Sequence, residues 1–275
     1  MHNMRIKKYN IPYIIIIAIF ILIILLPVLS LLIMSFTEKW AWPDIMPKAF
    51  SLRAIQSIVK NKETLCVLIF SSTIISMGVA SLSVVIGLMS ARALAFYDFA
   101  GKRLFSFLTI MPFLVPATVF AMGIQLTFLR WGLGNSITGV IIVQLICTLP
   151  YAIRIIEDGY KALGLRLEEQ ARVLGASILK AFCMITIPNL MPVILSSFSM
   201  AYIVSFSQYF TTLIIGGGTV KTFAIVMVPY LSSGERNFAS IYSVMFLGFN
   251  IIVFAILEML VNRYNKGAEI EYYDS

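Results

Sequence analysis

The chain alternates long apolar runs with short polar ones. Residues 11–36 (IPYIIIIAIFILIILLPVLSLLIMSF) carry no charge, over more than the ~20 residues that a helix needs to cross about 30 Å of hydrocarbon. Similar runs recur at about 65–92, 104–128, 137–156, 193–214 and 238–261. The pattern predicts six transmembrane helices in one domain over 11–261, with tails at 1–10 and 262–275. Arg5, Lys7 and Lys8 give the start the look of a signal-peptide n-region. The run that follows far exceeds the ~7–15 residues of a cleavable segment, and no A-x-A site closes it, so it reads as an uncleaved first span.

Composition agrees. Of 275 residues 60% are hydrophobic and 12% charged, with a mean hydropathy of +0.93, against a charged share of about 25% in soluble domains. So few polar residues cannot cover a surface facing water, so the chain is an all-α integral membrane protein. The net charge of +8 is scattered through loops without interleaved aromatics, which argues against a nucleic-acid partner. Cys66, Cys147 and Cys183 show no paired spacing and read as free thiols. His2 is the only histidine, so no His-based metal site or triad is available, and no cofactor is implied.

With the N-terminus inside, thirteen Lys and Arg fall on the inner side and eight on the outer. The positive-inside rule then places both termini in the cytoplasm. In the second span Ser72, Ser76 and Ala80, then Ser83, Gly87 and Ala91, form rows of small residues, the pattern that lets helix backbones approach closely in lipid. In the outer loop at 37–64, Ser51 is a candidate N-cap for a short helix carrying Leu52, Ile55, Ile58 and Val59. That helix suits an interfacial position or an ordinary surface one equally.

The segment at 157–192 departs from the rest. Leu163, Leu167, Ala171, Leu174 and Ile178 recur at helical spacing, with Arg166, Glu168, Glu169 and Arg172 on the other faces. Gly175 is placed to end that helix with a positive φ, and Pro188 and Pro192 bracket the return to the membrane. A helix so rich in apolar and charged groups needs something to pack against, either a partner or the bilayer surface.

Here the chain resembles a known family. Glu169-Q-A-R-V-L-Gly175, followed after nine residues by Ile185-T-I-Pro188, is similar to the EAA loop of the permease subunits of binding-protein-dependent ABC importers. Gln170 stands for the first Ala of that pattern and Ile187 for its Leu. The runs GLMSARALA, FAGKR, MPFLVP and LPYAIR extend the likeness. The resemblance implies the type I importer fold and a multi-pass place in a prokaryotic plasma membrane. It implies two permease subunits, identical or paralogous, two separate ABC ATPases, and an extracytoplasmic substrate-binding protein. Leu167, Glu169, Ala171, Leu174, Gly175, Ile185 and Pro188 would couple the pore to the ATPase. The branch it looks closest to serves polyamines, iron, thiamine, sulfate and phosphonates.

The chain has no nucleotide site of its own, since no glycine-rich run precedes Gly101-Lys102. It is not expected to be an enzyme. An ion-coupled secondary carrier is the alternative, but such carriers favour carboxylates at the midplane and these spans lack them. In the fifth span Ser207 and Gln208 stand where polyamine-type relatives tend to carry acids. Tyr202, Gln208 and Tyr209 could line a polar pathway or bond neighbouring helices. Gly216-Gly217-Gly218 is an outer turn that could be merely flexible, cradle an anion, or, with the loop around Trp40 and Trp42, receive the binding protein.

Overall fold

The computed structural model describes residues 11–38, 47 and 49–273; Trp40, Trp42 and the 1–10 tail lie outside the described residues. The described residues are almost wholly helical, with one isolated β-bridge, Thr37 to Phe50, and no strand. Two units are described separately, one formed by residues up to 62 with 229–248, the other by 63–228 with 249 onward.

In the first unit, helix α1 (Ile11–Ser35) is apolar on every face and its described side chains are largely exposed. An all-apolar exposed helix is stable only if hydrocarbon covers it. Its C-terminal carbonyls are collected by Asn237, whose amide donates to the carbonyls of Ser35 at 2.9 Å and Thr37 at 2.6 Å. Helix α2 (Arg53–Lys60) is the short helix expected in the outer loop. Leu52 takes the N-cap position instead of Ser51, whose hydroxyl still accepts from the Arg53 N–H. The buried face is Ala54 with half-buried Ile55 and Ile58, while Leu52 and Val59 face outward.

The second unit is built on α3 (Lys62–Phe96). Ser72, Ser76, Ala80, Ser83, Gly87 and Ala91 are all buried, so the row of small residues is a packing face. A Cβ at Gly87 would stand 3.2 Å from the Ala152 Cβ, and Ser83 and Thr148 share a hydrogen bond of 2.6 Å. Both contacts fall on α6 (Ile137–Leu163).

The third expected span, 104–128, is not one rod. Helix α4 (Lys102–Leu114) and helix α5 (Ala117–Arg130) meet at 107°. Pro116 disfavours helical geometry at the residue before it, and Val115 is extended at φ −96°, ψ 123°. Five helices among the described residues are long and apolar enough to cross a membrane, and this bent pair supplies a sixth crossing if taken as one.

The fourth span runs on to Leu163, seven residues past its expected end at 156, because charge on a helix end leaves the lipid without breaking the helix. It stops at Gly164, with φ +70°. Next come α7 (Arg166–Val173) and α8 (Ile178–Ala181). A π-helical turn, Phe182–Thr186, leads without a break into α9 (Ile187–Phe206). The fifth crossing is therefore Ile178–Phe206 instead of 193–214. Pro188 does not interrupt it and stands in the first turn after the π segment. The chain breaks at Ser207–Tyr209, then forms α10 (Phe210–Gly216), α11 (Phe223–Ser232), which hydropathy had not separated out, and α12 (Arg236–Tyr273).

Candidate functional site

The apolar stripe expected on one helix is divided among three. Leu163 ends α6, Leu167 and Ala171 lie on α7, Leu174 is its C-cap, and Ile178 opens α8. Gly164, not recognised as a turn in the sequence, separates α6 from α7, and the turn at Gly175 separates α7 from α8. The end of α7 is as expected. Gly175 has φ +94°, its N–H donates to Arg172 O, and the Ala176 N–H donates to Ala171 O, the paired bonds of a Schellman cap. Ser177 then caps α8 by accepting from the Lys180 N–H.

Glu169 is exposed and divides two shallow grooves. Arg166, Gln170, Val173 and Leu174 line one, and Arg172, Val173, Ala176, Ser177 and Ile178 line the other. Beside it Leu174 is 89% exposed, Val173 87% and Leu179 76%. Leu167 and Gly175 are exposed too, whereas Ala171, Ile185 and Pro188 are half-buried, and the π turn that carries Ile185 packs on α7. Large aliphatic side chains projecting beside Arg166, Glu169 and Arg172 form an apolar patch with a charged rim, the composition of a protein-docking surface. Val173 and Leu179 belong to it and were missed, because neither falls on the expected stripe.

The inner face of α7 carries a second carboxylate that the motif did not single out. Glu168 is 5% exposed. Arg92, near the end of α3, donates to its two oxygens at 2.9 and 2.6 Å, and the Thr186 hydroxyl donates to Oε2 at 2.8 Å. The Arg92 guanidinium also lies over the Phe182 ring, 5.1 Å from its centroid. Hydrogen bonds from Arg92, against the cost of burial and with help from Thr186, hold the Glu168 carboxyl below its ordinary range.

The three pathway candidates do not share one surface. Tyr202 is fully buried, stacked on Phe206 at 5.7 Å. Gln208 and Tyr209 sit half-exposed in the break between α9 and α10. That break is held by buried Gln144, which donates to Thr212 at 2.8 Å and accepts from Ser205 at 2.6 Å. Thr212 donates in turn to Gln208 O, and Thr211 to Gln208 Oε1. Gln144 could have been noticed as a lone amide in an apolar run. The outer glycine turn is fastened to the α5–α6 connection, with Asn135 N–H donating to Ile215 O and Thr219 donating to Asn135 O. Among the described residues no cluster of His, Cys, Asp or Glu could hold a metal.

Residues 83–266 match the family described as the binding-protein-dependent transport system inner membrane component. The molybdate/tungstate transport system permease protein WtpB of Pyrococcus abyssi is 28% identical over 70% of this chain and 77% of its own. The sulfate transport system permease protein CysT of Escherichia coli is 23% identical over 90% of each. In fold, a bacterial ABC transporter involved in the import of alginate matches with a TM-score of 0.65 at 17% identity, over 94% of this chain and 98% of that one. Of the branch expected from the sequence, only sulfate figures in these names; the polyamine, iron, thiamine and phosphonate expectation is not carried by them. An ion-coupled carrier is set aside by the match, and ATP hydrolysis belongs to a separate subunit. The chain belongs to the family of binding-protein-dependent inner-membrane permeases and is a multi-pass transmembrane subunit of an ABC importer, acting with ATPase subunits, a partner permease and a substrate-binding protein.

Proposed function

We propose that this permease passes a tetrahedral oxyanion of the sulfate, molybdate and tungstate kind, and that the exposed α7–α8 surface is where the ATPase docks on the cytoplasmic side. The observation that carries the docking reading is the near-complete exposure of Val173 and Leu174 beside Glu169. Side chains of that size, clear of the apolar spans, need a partner groove. Glu169 then meets a basic group on the ATPase, Leu167 and Leu174 fill its groove, and Gly175 sets the turn from α7 to α8. Half-buried Ala171, Ile185 and Pro188 support the surface from beneath.

The substrate class rests on the relatives' names and fits the chemistry of the spans. No side chain is charged in α3 between Glu63 and Arg92, in α9 or in α10. A desolvated dianion would be repelled by intramembrane carboxylates, whereas the neutral donors around Gln208 and Tyr209 can solvate it. The test is uptake by the complete importer in proteoliposomes, with radiolabelled sulfate, molybdate and spermidine as probes. Oxyanion uptake without spermidine uptake is expected, weakened by Gln208→Ala or Tyr209→Phe while the complex stays assembled. Spermidine uptake without oxyanion uptake would overturn the substrate reading.

A further inference from the structure

Two neighbouring carboxylates on α7 have opposite surroundings. Glu169 faces outward, while Glu168 is buried in a bidentate pair with Arg92 and a third bond from Thr186. Along the chain α7 is joined to its neighbours by two glycine turns. Gly164 on one side and Gly175 on the other both have positive φ, and no atom lies within 4 Å of where their Cβ would be. A push on the outer face of this eight-residue helix reaches the spans through these two turns or through a side-chain connection.

The contacts at Glu168 supply that connection. A bidentate guanidinium–carboxylate pair fixes orientation as well as distance. Arg92 anchors it to the end of α3, and Phe182 and Thr186 anchor it to the π turn. That turn runs directly into α9, whose far end is the break carrying Gln208 and Tyr209. π turns recur at functional sites, and here the turn presents Phe182 to Arg92 and Thr186 to Glu168.

We propose that Arg92, Glu168 and Thr186 are positioning residues that make α7 move as one body with the end of α3 and the start of α9, so that ATP hydrolysis drives transport. The proposal rests on the α7–α8 docking reading but is separable from it: the joint lies on the inner face of α7 and is needed for coupling, not for binding the ATPase. Removing one partner would strand a buried charge, so the decisive variant removes both.

The experiment compares wild type, the double variant Arg92→Met/Glu168→Met, the charge swap Arg92→Glu/Glu168→Arg, and Arg92→Lys in the complete reconstituted importer. Permease-bound ATPase, basal ATP hydrolysis, and sulfate or molybdate transported per ATP are measured. The double variant is expected to retain the ATPase and basal hydrolysis while transport per ATP falls about tenfold, within the usual range of coupling between linked sites. Arg92→Lys, which keeps the charge without the fork, should fall between, and the swap should recover part of the loss. An assembled double variant with wild-type transport per ATP overturns the proposal. So does a loss of transport that merely tracks the loss of assembled complex in Arg92→Lys and the double variant, since the joint would then be only structural. If wild type moves neither anion, the substrate reading fails, and stimulation of ATP hydrolysis by the loaded binding protein tests the joint instead.

Discussion

Arg92 and Glu168, 76 residues apart in sequence, form a bidentate ion pair that ties the end of α3 to the inner face of α7. Beside it Glu169 points the other way. One short helix thus has a face that holds on to its own protein and a face left open for another.

The pair predicts an acid limit to stability. The Glu168 carboxyl lies below its unfolded value because Arg92, Thr186 and the nearby charge of Arg172 favour the ionised form. A depressed pKa contributes stability that is present above the unfolded pKa and lost as pH falls through the folded one. The melting temperature of the detergent-solubilised protein should therefore change little on this account above the ordinary Glu value of about 4.3 and decline below it. Glu168→Gln should remove part of the decline. An identical acid profile in both proteins would contradict the assignment.

The close approach of α3 and α6 sets a size limit at Gly87. Its Cβ position is 3.2 Å from Ala152 and 3.3 Å from Ile156, so Gly87→Leu should destabilise by about 1–3 kcal/mol through overpacking. Gly78, on the same helix, has nothing within 4 Å, and Gly78→Ala should be neutral or mildly stabilising. Thermal unfolding of both variants checks the contrast, and equal behaviour would deny the packing face.

Orientation is testable by labelling. Exposed Gln56 belongs to the proposed outer loop and Ser177 to the inner docking segment. Cys66 and Cys183 are exposed, so the native thiols are first replaced. Gln56→Cys should then react with an impermeant maleimide in intact cells and Ser177→Cys only after permeabilisation. The reverse pattern would invert the topology and place α7–α8 on the wrong side for an ATPase.

Hydropathy made most of the spans legible, since lipid leaves a chain no alternative to helices there. It is blind to backbone geometry, and so the MPFLVP run was counted within one span at 104–128 although Pro116 disfavours helix at Val115. Pro188 misled in the other direction, being read as a boundary where the helix runs on. Gly175 was legible because a glycine after an amphipathic run has one common use; Gly164, eleven residues earlier with the same role, was hidden inside the apolar periodicity. The EAA-like motif pointed to Glu169 and the outer face. Nothing local pointed to Glu168, because its partner lies on another helix and only the fold brings them together.

The most direct test of the coupling account is retention of the ATPase on the purified permease. Leu174→Asp and Glu169→Lys change exposed side chains outside the spans, so both should insert and fold as wild type. Gly175→Val meets no clash but forces a β-branched residue to φ +94°, which should shift the turn. The first two variants oppose the apolar groove and the basic group inferred on the ATPase, and like charges across a docked interface are strongly unfavourable. All three permeases should be recovered at normal levels with the ATPase largely lost. ATPase co-purifying at wild-type stoichiometry with both Leu174→Asp and Glu169→Lys would show that α7–α8 is not the docking surface.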